Sequence, residues 1–397
     1  MKILNVLIYH GLSAPSCGGQ SRYLNETLEL MRHGHNVTVL EPFGPWKTRD
    51  ETLAKVQSYR NISMLGRNLG VFRDVNPEFL SLLSSLVREG AFDIVQISSL
   101  SGAIAAKVAK TLLDRKICLV YDAHNFEPEF VKETYQRDRD HSALERIIVT
   151  GLIRVLNHLG CRFCFDFVIC VSNRDRDLFI ERLRMDPKRV FVVPIGTHAL
   201  GLPTKEAKSK AREKYGIGKE RIVVMFHGLY THLANREAFD LIVNSIAPRF
   251  ASADERVLFV LGGTDSPKFS EKNVLACGFV ENLFEFLSLA DVALVPLKHG
   301  GGVKVKVLDY LGMGLPIIST KKGVEGLDVI DGENALVVNY VEDELVDGIQ
   351  FLVNNQAERT RLGHNARDLA LSKYDWKVIG NTADEVVQRI VDNSHVG

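Results

Sequence analysis

Short, nearly unbroken apolar runs recur along the chain. Between them lie longer stretches in which apolar residues return with helical spacing. The first half carries KILNVLIY, NVTVLEP, FDIVQI, CLVYDA, FVICVS and VFVVP; the second carries RIVVMFHG, RVLFVLGG, DVALVPL, PIIST and ALVVN. A strand covered on both faces needs Val, Ile and Leu at consecutive positions, and helical segments between such strands demand parallel crossovers. The pattern restarts near Arg221, after GTHALGLPTKEAKSKAREKYGIGKE, a polar stretch that suits a linker running into a helix. It therefore predicts an α/β chain of two Rossmann-like, doubly wound parallel-sheet domains facing across a cleft. The final segment, WKVIGNTADEVVQRIV, is helical with no strand after it.

The 397 residues are enough for two ordinary domains, and 46% hydrophobic with 25% charged residues is a folded composition. Charge changes the picture only by exclusion. Lys+Arg and Asp+Glu balance at 49 each, which argues against a nucleic-acid binder. Residues 1–200 hold 26 basic against 22 acidic side chains and the remainder 23 against 27, so the first half leans basic. Six scattered cysteines do not make a disulfide framework and point to a reducing compartment. No apolar run reaches membrane-spanning length, and the opening MKILNVLIYHG is too short for a signal peptide. The expectation is a cytoplasmic protein. The basic first half and the helix-like SALERIIVTGLIRVLNHLG add a peripheral contact of the first domain with the inner face of a membrane.

Ligands of such sheets sit at the carboxyl ends of strands, so the loops after strands carry the chemistry. The first of these, HGLSAPSCGGQSRYL, is a Gly-Gly turn (Gly18, Gly19) opening a helix; it lacks the full G-x-G-x-x-G of a dinucleotide oxidoreductase. YDAHNFEPEF places His124 just past a buried strand. The most telling stretch is HGGGVKVKVLDYLGMGLPIIST. Val303, Val307, Leu308 and Leu311 follow helical spacing, and Gly312, Gly314 and Pro316 stop the pattern. The spacing predicts a Gly-rich loop, a helix from about Val303 to Met313, and a strand. A helix N-terminus behind glycines offers free N–H groups and a positive dipole end, which suit phosphate. Lys304 and Lys306 in the first turns oppose that dipole unless an anion sits there; with Val303 and Val307 facing the core, Lys306 falls on the ligand face, one turn before Asp309, as the candidate catalytic charge. Asp309 lies seven residues beyond Gly302, roughly 10 Å along the axis, within reach of a ribose attached to the phosphates.

The chain resembles the retaining glycosyltransferases of family four, which have the GT-B fold. ADVALVPLKHGGGVKVKVLDYLGMGLPIISTKKGVEGL resembles the subgroup pattern A-D-x-x-x-x-P, G-x-G-x-[RK]-x-K-x-x-E, G-x-P-[VI]-[VI]. FHGLYTHLANREAFDLI resembles the turn after the first donor-domain strand, and KYDW the motif before a last helix that crosses back to the first domain. SCGGQ, the histidine of YDAHN and FVICVS resemble the acceptor domain. The resemblance implies an acceptor-binding domain over 1–200, a donor-binding domain over 201–375, and a returning helix over 376–397. It also implies donor contacts at Gly228, Gly301, Gly302 and Val303, diphosphate neutralised by Lys304 and Lys306, and ribose held by Asp309. Gly18 and Gly19 would close on the phosphates, and His124 would approach the transferred sugar. Three positions depart from the family: its first motif glutamate is Gly301, and its Arg and Lys after the first donor-domain strand are Leu229 and about Asn235.

The activity so implied is retaining, metal-independent transfer of a hexose-type sugar from a nucleotide-sugar to a glycan, lipid-linked or small-molecule acceptor in polysaccharide or glycoconjugate synthesis. No cofactor is expected. Rivals are a nucleotide-sugar 2-epimerase on the same fold and a non-catalytic nucleotide-sugar binder. Two D-x-D triplets, Asp138–Asp140 and Asp175–Asp177, lie in helix-like segments, where metal binding is not expected. Cys161-x-x-Cys164 has no second pair at zinc spacing and is expected to pack in a core.

Overall fold

The computed structural model describes residues 1–8, 18–42, 56–59, 63–64, 67–68, 76–100, 102–112, 116–135, 142–199 and 201–394. The chain divides into unit 1, Met1–Ile195 with Trp376–Gly397, and unit 2, Gly196–Asp375.

Among the described residues, the main sheet of unit 1 has seven strands: β1 (Lys2–Val6), β2 (Asn36–Pro42), β3 (Val56–Tyr59), β4 (Ile94–Ile97), β5 (Cys118–Ala123), β6 (Phe167–Cys170) and β7 (Val190–Val192). Their order is β3-β2-β1-β4-β5-β6-β7, and every pairing is parallel. The order reverses beside β1, between β1 and β4, where a doubly wound sheet opens its crevice. Helices α1 (Gly18–Arg32), α2 (Pro77–Gly90), α3 (Ala103–Leu112), α4 (Glu127–Tyr135), α5 (Ala143–Leu159) and α6 (Asn173–Leu183) supply the crossovers. Strands β1, β4 and β5 are buried almost throughout, as their unbroken apolar runs require.

Unit 2 repeats the plan with β8 (Ile222–His227), β9 (Val257–Gly262), β10 (Lys268–Glu271), β11 (Val274–Cys277), β12 (Val292–Val295), β13 (Ile317–Thr320) and β14 (Leu336–Val338). The order is β10-β11-β9-β8-β12-β13-β14, parallel except for the antiparallel edge pair β10–β11. Its helices are α7 (Lys205–Lys214), α8 (Leu233–Leu241), α9 (Leu283–Ser288), α10 (Val305–Gly312), α11 (Glu342–Asn354) and α12 (Gln356–Leu369). Here the reversal falls between β8 and β12, so the loops after those two strands flank the crevice.

The last helix, α13 (Trp376–Ser394), belongs to unit 1 and packs along α1. Gly380 makes the approach close, since a Cβ there would stand 2.8 Å from Glu29 Cβ. His35 Nε2 meets Asp384 Oδ1 at 2.7 Å, and His33 Nε2 meets Asn381 Oδ1 at 3.0 Å.

Every apolar run quoted above forms a strand. The patterning did not reveal β3 or the β10–β11 hairpin; KFSE of β10 is an exposed edge with no buried face to leave an apolar signature. Helix α10 also starts two residues later than its spacing predicts. Gly302 has φ +70° and Lys304 has ψ 96°, so the backbone enters helical geometry only at Val305.

Candidate functional site

In unit 2 the carboxyl ends of β8 and β12 lie side by side at the switch point, and the residues that follow build one polar cluster. After β12 the chain runs through His299 and the three glycines. Gly300 and Gly302 have φ of +113° and +70°, a region open to glycine and costly for a side chain. Lys304 caps α10 without a side-chain bond to the helix. Its ammonium turns back instead and donates to the carbonyls of Gly300 and Gly302 at 2.9 and 2.5 Å, stapling the loop.

Lys306, in the first turn of α10, points across to β8. Its Nζ donates to Asn235 Oδ1 of α8 at 2.6 Å and lies 4.1 Å from the centre of the Phe226 ring. Burial first, and Lys304 second, push its pKa down to about 7, with Asp309 opposing. Gly228 makes room for this ammonium: a Cβ there would stand 2.8 Å from both Lys306 Nζ and Asn235 Nδ2. A glycine in the turn after β8 is thus explained by the lysine it faces.

Asp309 follows one turn later on the same helix, half-buried, with Oδ2 3.5 Å from His227 Nε2. His227, the last residue of β8, is buried. Its backbone N–H donates to Tyr310 Oη at 3.0 Å, and its Nδ1 lies 2.9 Å from the same oxygen. A hydroxyl that accepts from the backbone has its own proton free for Nδ1, which leaves the ring proton on Nε2, facing Asp309. Burial lowers the His227 pKa, so the ring is neutral near pH 7. His232, at the start of α8, is also held low, by burial and then by Lys306 and Lys304. His299 Nε2 meets Glu237 Oε2 at 2.6 Å. Around the cluster the strand ends are tied together: Gly228 N donates to Gly262 O at 3.1 Å and Gly263 N to Gly278 O at 3.0 Å. The exposed Phe279 stands beside that last bond, at the end of β11.

The structure therefore brings Gly228, Gly301, Gly302, Val303, Lys304, Lys306 and Asp309 together at one crevice. His227, Tyr310 and Asn235 join them there and were not singled out as partners by the sequence. Tyr310 was legible only as one more residue of a helical pattern, and His227 as the end of an apolar strand.

In unit 1 Gly18 and Gly19 begin α1, and His124 follows β5, half-buried, with its ring 6.3 Å from that of Tyr23. Below them lies a buried charge cluster. Arg22 pairs with Asp122 and approaches Glu26 at 3.3 Å, while Gln96 Nε2 donates to Asp122 at 2.8 Å and to Glu26 at 3.1 Å. Burial, and then Asp122, raise the Glu26 pKa to about 7.

Asp175 proves to be a capping partner, its N–H donating to Ser172 Oγ at 3.1 Å and its carboxylate accepting from that hydroxyl at 2.8 Å. Asp138–Asp140 lies outside the described residues. Cys161 is buried in the π turn after α5. Among the described residues no three His, Cys, Asp or Glu side chains gather as a metal site would require.

Residues 17–199 match the family model Glycosyltransferase Family 4, and residues 221–355 match Glycosyl transferases group 1. The chain is 21% identical, over 94% of its own length and 95% of the relative's, to GDP-mannose-dependent alpha-(1-6)-phosphatidylinositol monomannoside mannosyltransferase of Mycolicibacterium smegmatis. It is 23% identical, over 72% of itself and 70% of the relative, to UDP-Gal:alpha-D-GlcNAc-diphosphoundecaprenol alpha-1,3-galactosyltransferase of Escherichia coli. Among solved structures it superposes on Anabaena HepE in complex with UDP with a TM-score of 0.72 at 17% identity, covering 98% of this chain and 100% of that one. Sucrose-phosphate synthase of Thermosynechococcus elongatus gives 0.76 at 15% identity, covering 99% and 100%.

Proposed function

We propose that this chain, a GT-B glycosyltransferase of the family four type, moves a hexose-type sugar from a nucleotide-sugar to an acceptor with retention of anomeric configuration. The observation that carries the reading is Lys306: an ammonium held in the first turn of α10, beside Gly228, at the switch point of unit 2. Its partner Asn235 stands about where the resembled family places a lysine, so Lys306 restores a cation there. That restoration favours an enzyme over a non-catalytic binder.

The donor diphosphate lies against Lys306, the N–H groups that open α10 and the backbone of Gly301, Gly302 and Val303. Asp309 takes the ribose hydroxyls, and Phe279 offers an aromatic face to the base. The bond from the anomeric carbon to the diphosphate breaks, and the acceptor oxygen bonds to that carbon on the same face. The acceptor's proton passes to the leaving phosphate, so no protein nucleophile is used. Charge developing on that phosphate is met by preorganised N–H groups and the Lys306 ammonium. The family resemblance assigns Gly18 and Gly19 to phosphate and His124 to the transferred sugar. The acceptor is a glycan, a lipid-linked saccharide or a small molecule of polysaccharide or glycoconjugate synthesis; the names of the two relatives favour the lipid-linked class.

A thermal-shift panel of UDP, GDP and ADP tests the donor site. The preferred nucleotide at one hundred times its Kd stabilises unit 2 by about 2.7 kcal/mol, and no shift with any of the three removes the reading. Proton NMR of the product then reports the anomer; an inverted product refutes the assigned mechanism. Turnover without acceptor into a 2-epimer would identify the epimerase. In the same assay His124→Ala lowers kcat by up to about 10²-fold, the scale of a misplaced reactant, and leaves nucleotide Kd unchanged. A matching loss in Kd would place His124 among the donor contacts instead.

A further inference from the structure

Helix α5 in unit 1 has its polarity turned inside out. The side that faces the protein carries Asn157, fully buried, whose Nδ2 donates to Glu127 of α4 at 3.3 Å. The side that faces away carries Leu144, Ile148, Leu152, Val155, Leu159 and, in the turn beyond, Phe163, each 46% to 67% exposed. The steps between them of four, four, three, four and four residues trace one stripe, roughly 28 Å long at helical rise. A surface helix of a globular domain shows the reverse arrangement. Helix α3, which packs on the π turn after α5, adds exposed Ile104 and Val108, one turn apart. So large an exposed apolar area marks an interaction surface.

Charge selects the occupant. Residues 142–164 contain Arg146, Arg154 and Arg162 against Glu145 alone, and α3 contains Lys107 and Lys110 with no acid. The Arg162 guanidinium lies 5.8 Å from the Phe163 ring centre, a cation resting on an apolar body. A second copy docked through this stripe would bring surplus positive charge against itself. A sheet of anionic headgroups over hydrocarbon meets both features. None of the described helices is long and apolar enough to cross a membrane.

We propose that α5 docks unit 1 on an anionic lipid bilayer, lying in the interface with its outward stripe in the acyl boundary and Arg154 and Arg162 at the headgroups. The proposal goes beyond the transferase reading and does not depend on it, because vesicle binding is measured without nucleotide.

The test is co-sedimentation of the full chain with phosphatidylcholine vesicles, with and without phosphatidylglycerol. Wild-type protein pellets with the anionic vesicles, and rising salt weakens it. Ile148→Glu/Leu152→Glu lowers the partition coefficient at least about tenfold, from lost apolar burial. Arg154→Glu/Arg162→Glu lowers it about thirtyfold, from roughly 1 kcal/mol per arginine. Both pairs lie on the exposed face, so thermal unfolding and nucleotide affinity stay at wild-type values; a variant that fails this check is replaced by Val155→Glu alone. Wild-type protein that ignores anionic vesicles overturns the proposal, as does binding indifferent to both variant pairs. A concentration-dependent dimer abolished by Ile148→Glu/Leu152→Glu would assign the stripe to a second copy instead.

Discussion

Lys306→Ala lowers turnover about 10²–10³-fold, the range for removing one preorganised charge donor from a transition state that gathers charge. The lysine is seated for that role: Asn235 holds its Nζ at 2.6 Å, and Gly228 leaves the space it occupies. Because the charge is supplied by the protein, turnover survives EDTA; complete loss in EDTA with recovery by Mg²⁺ or Mn²⁺ would transfer the role to a metal. The direction of the pH dependence follows from the same residue. Free Lys306 is charged below about 7 and neutral above it. A bound diphosphate favours the ammonium and raises its pKa, so binding takes up a proton. Affinity therefore falls as pH climbs from 7 toward 9, a window above the terminal phosphate's own pKa of about 6. Calorimetry in two buffers of different ionisation enthalpy reads the proton uptake. Lys306→Ala flattens the profile, and a profile unchanged by that substitution would exclude the lysine.

How much of this was legible depended on whether the signal was local. The parallel strands were, because a run such as VLFVLG states its own burial on both faces. The glycines and lysines of the loop were also legible, being consecutive in the chain. The partners were not. Asn235 meets Lys306 across 71 residues, and His227 meets Tyr310 across 83. Those pairings exist only once β8 and β12 are neighbours, and strand order is not written in apolar periodicity. The spacing also put Lys306, one turn before Asp309, on the ligand face; it did not show that Lys304 spends its charge on the loop carbonyls. That follows from where the helix begins, which Gly302 and Lys304 delay by backbone conformation. In α5 the sequence showed apolar spacing without showing which side faced inward. The fully buried Asn157, bonded to Glu127, settles that.

Asp309→Ala weakens nucleotide binding about 10- to 150-fold, the equivalent of 1.5–3 kcal/mol for bonds to a charged acceptor. Asp309 lies one turn beyond Lys306 on the same helix, so the spacing from diphosphate to ribose is fixed by α10 itself. One carboxylate oxygen is approached by His227 Nε2 at 3.5 Å, and the side chain remains about a quarter exposed, open to vicinal hydroxyls. The competing account is that Asp309 merely orients His227 and touches no ligand. The two accounts separate in a cycle pairing the substitution with a deoxy nucleotide. If Asp309 holds ribose, wild-type protein loses affinity on removal of a ribose hydroxyl, while Asp309→Ala, having no bond left to lose, binds the ribo and deoxy forms alike. If Asp309 only supports His227, the hydroxyl matters equally in both proteins and the penalties add. Additive penalties would thus remove Asp309 from the ligand and leave it a neighbour of the His227–Tyr310 pair.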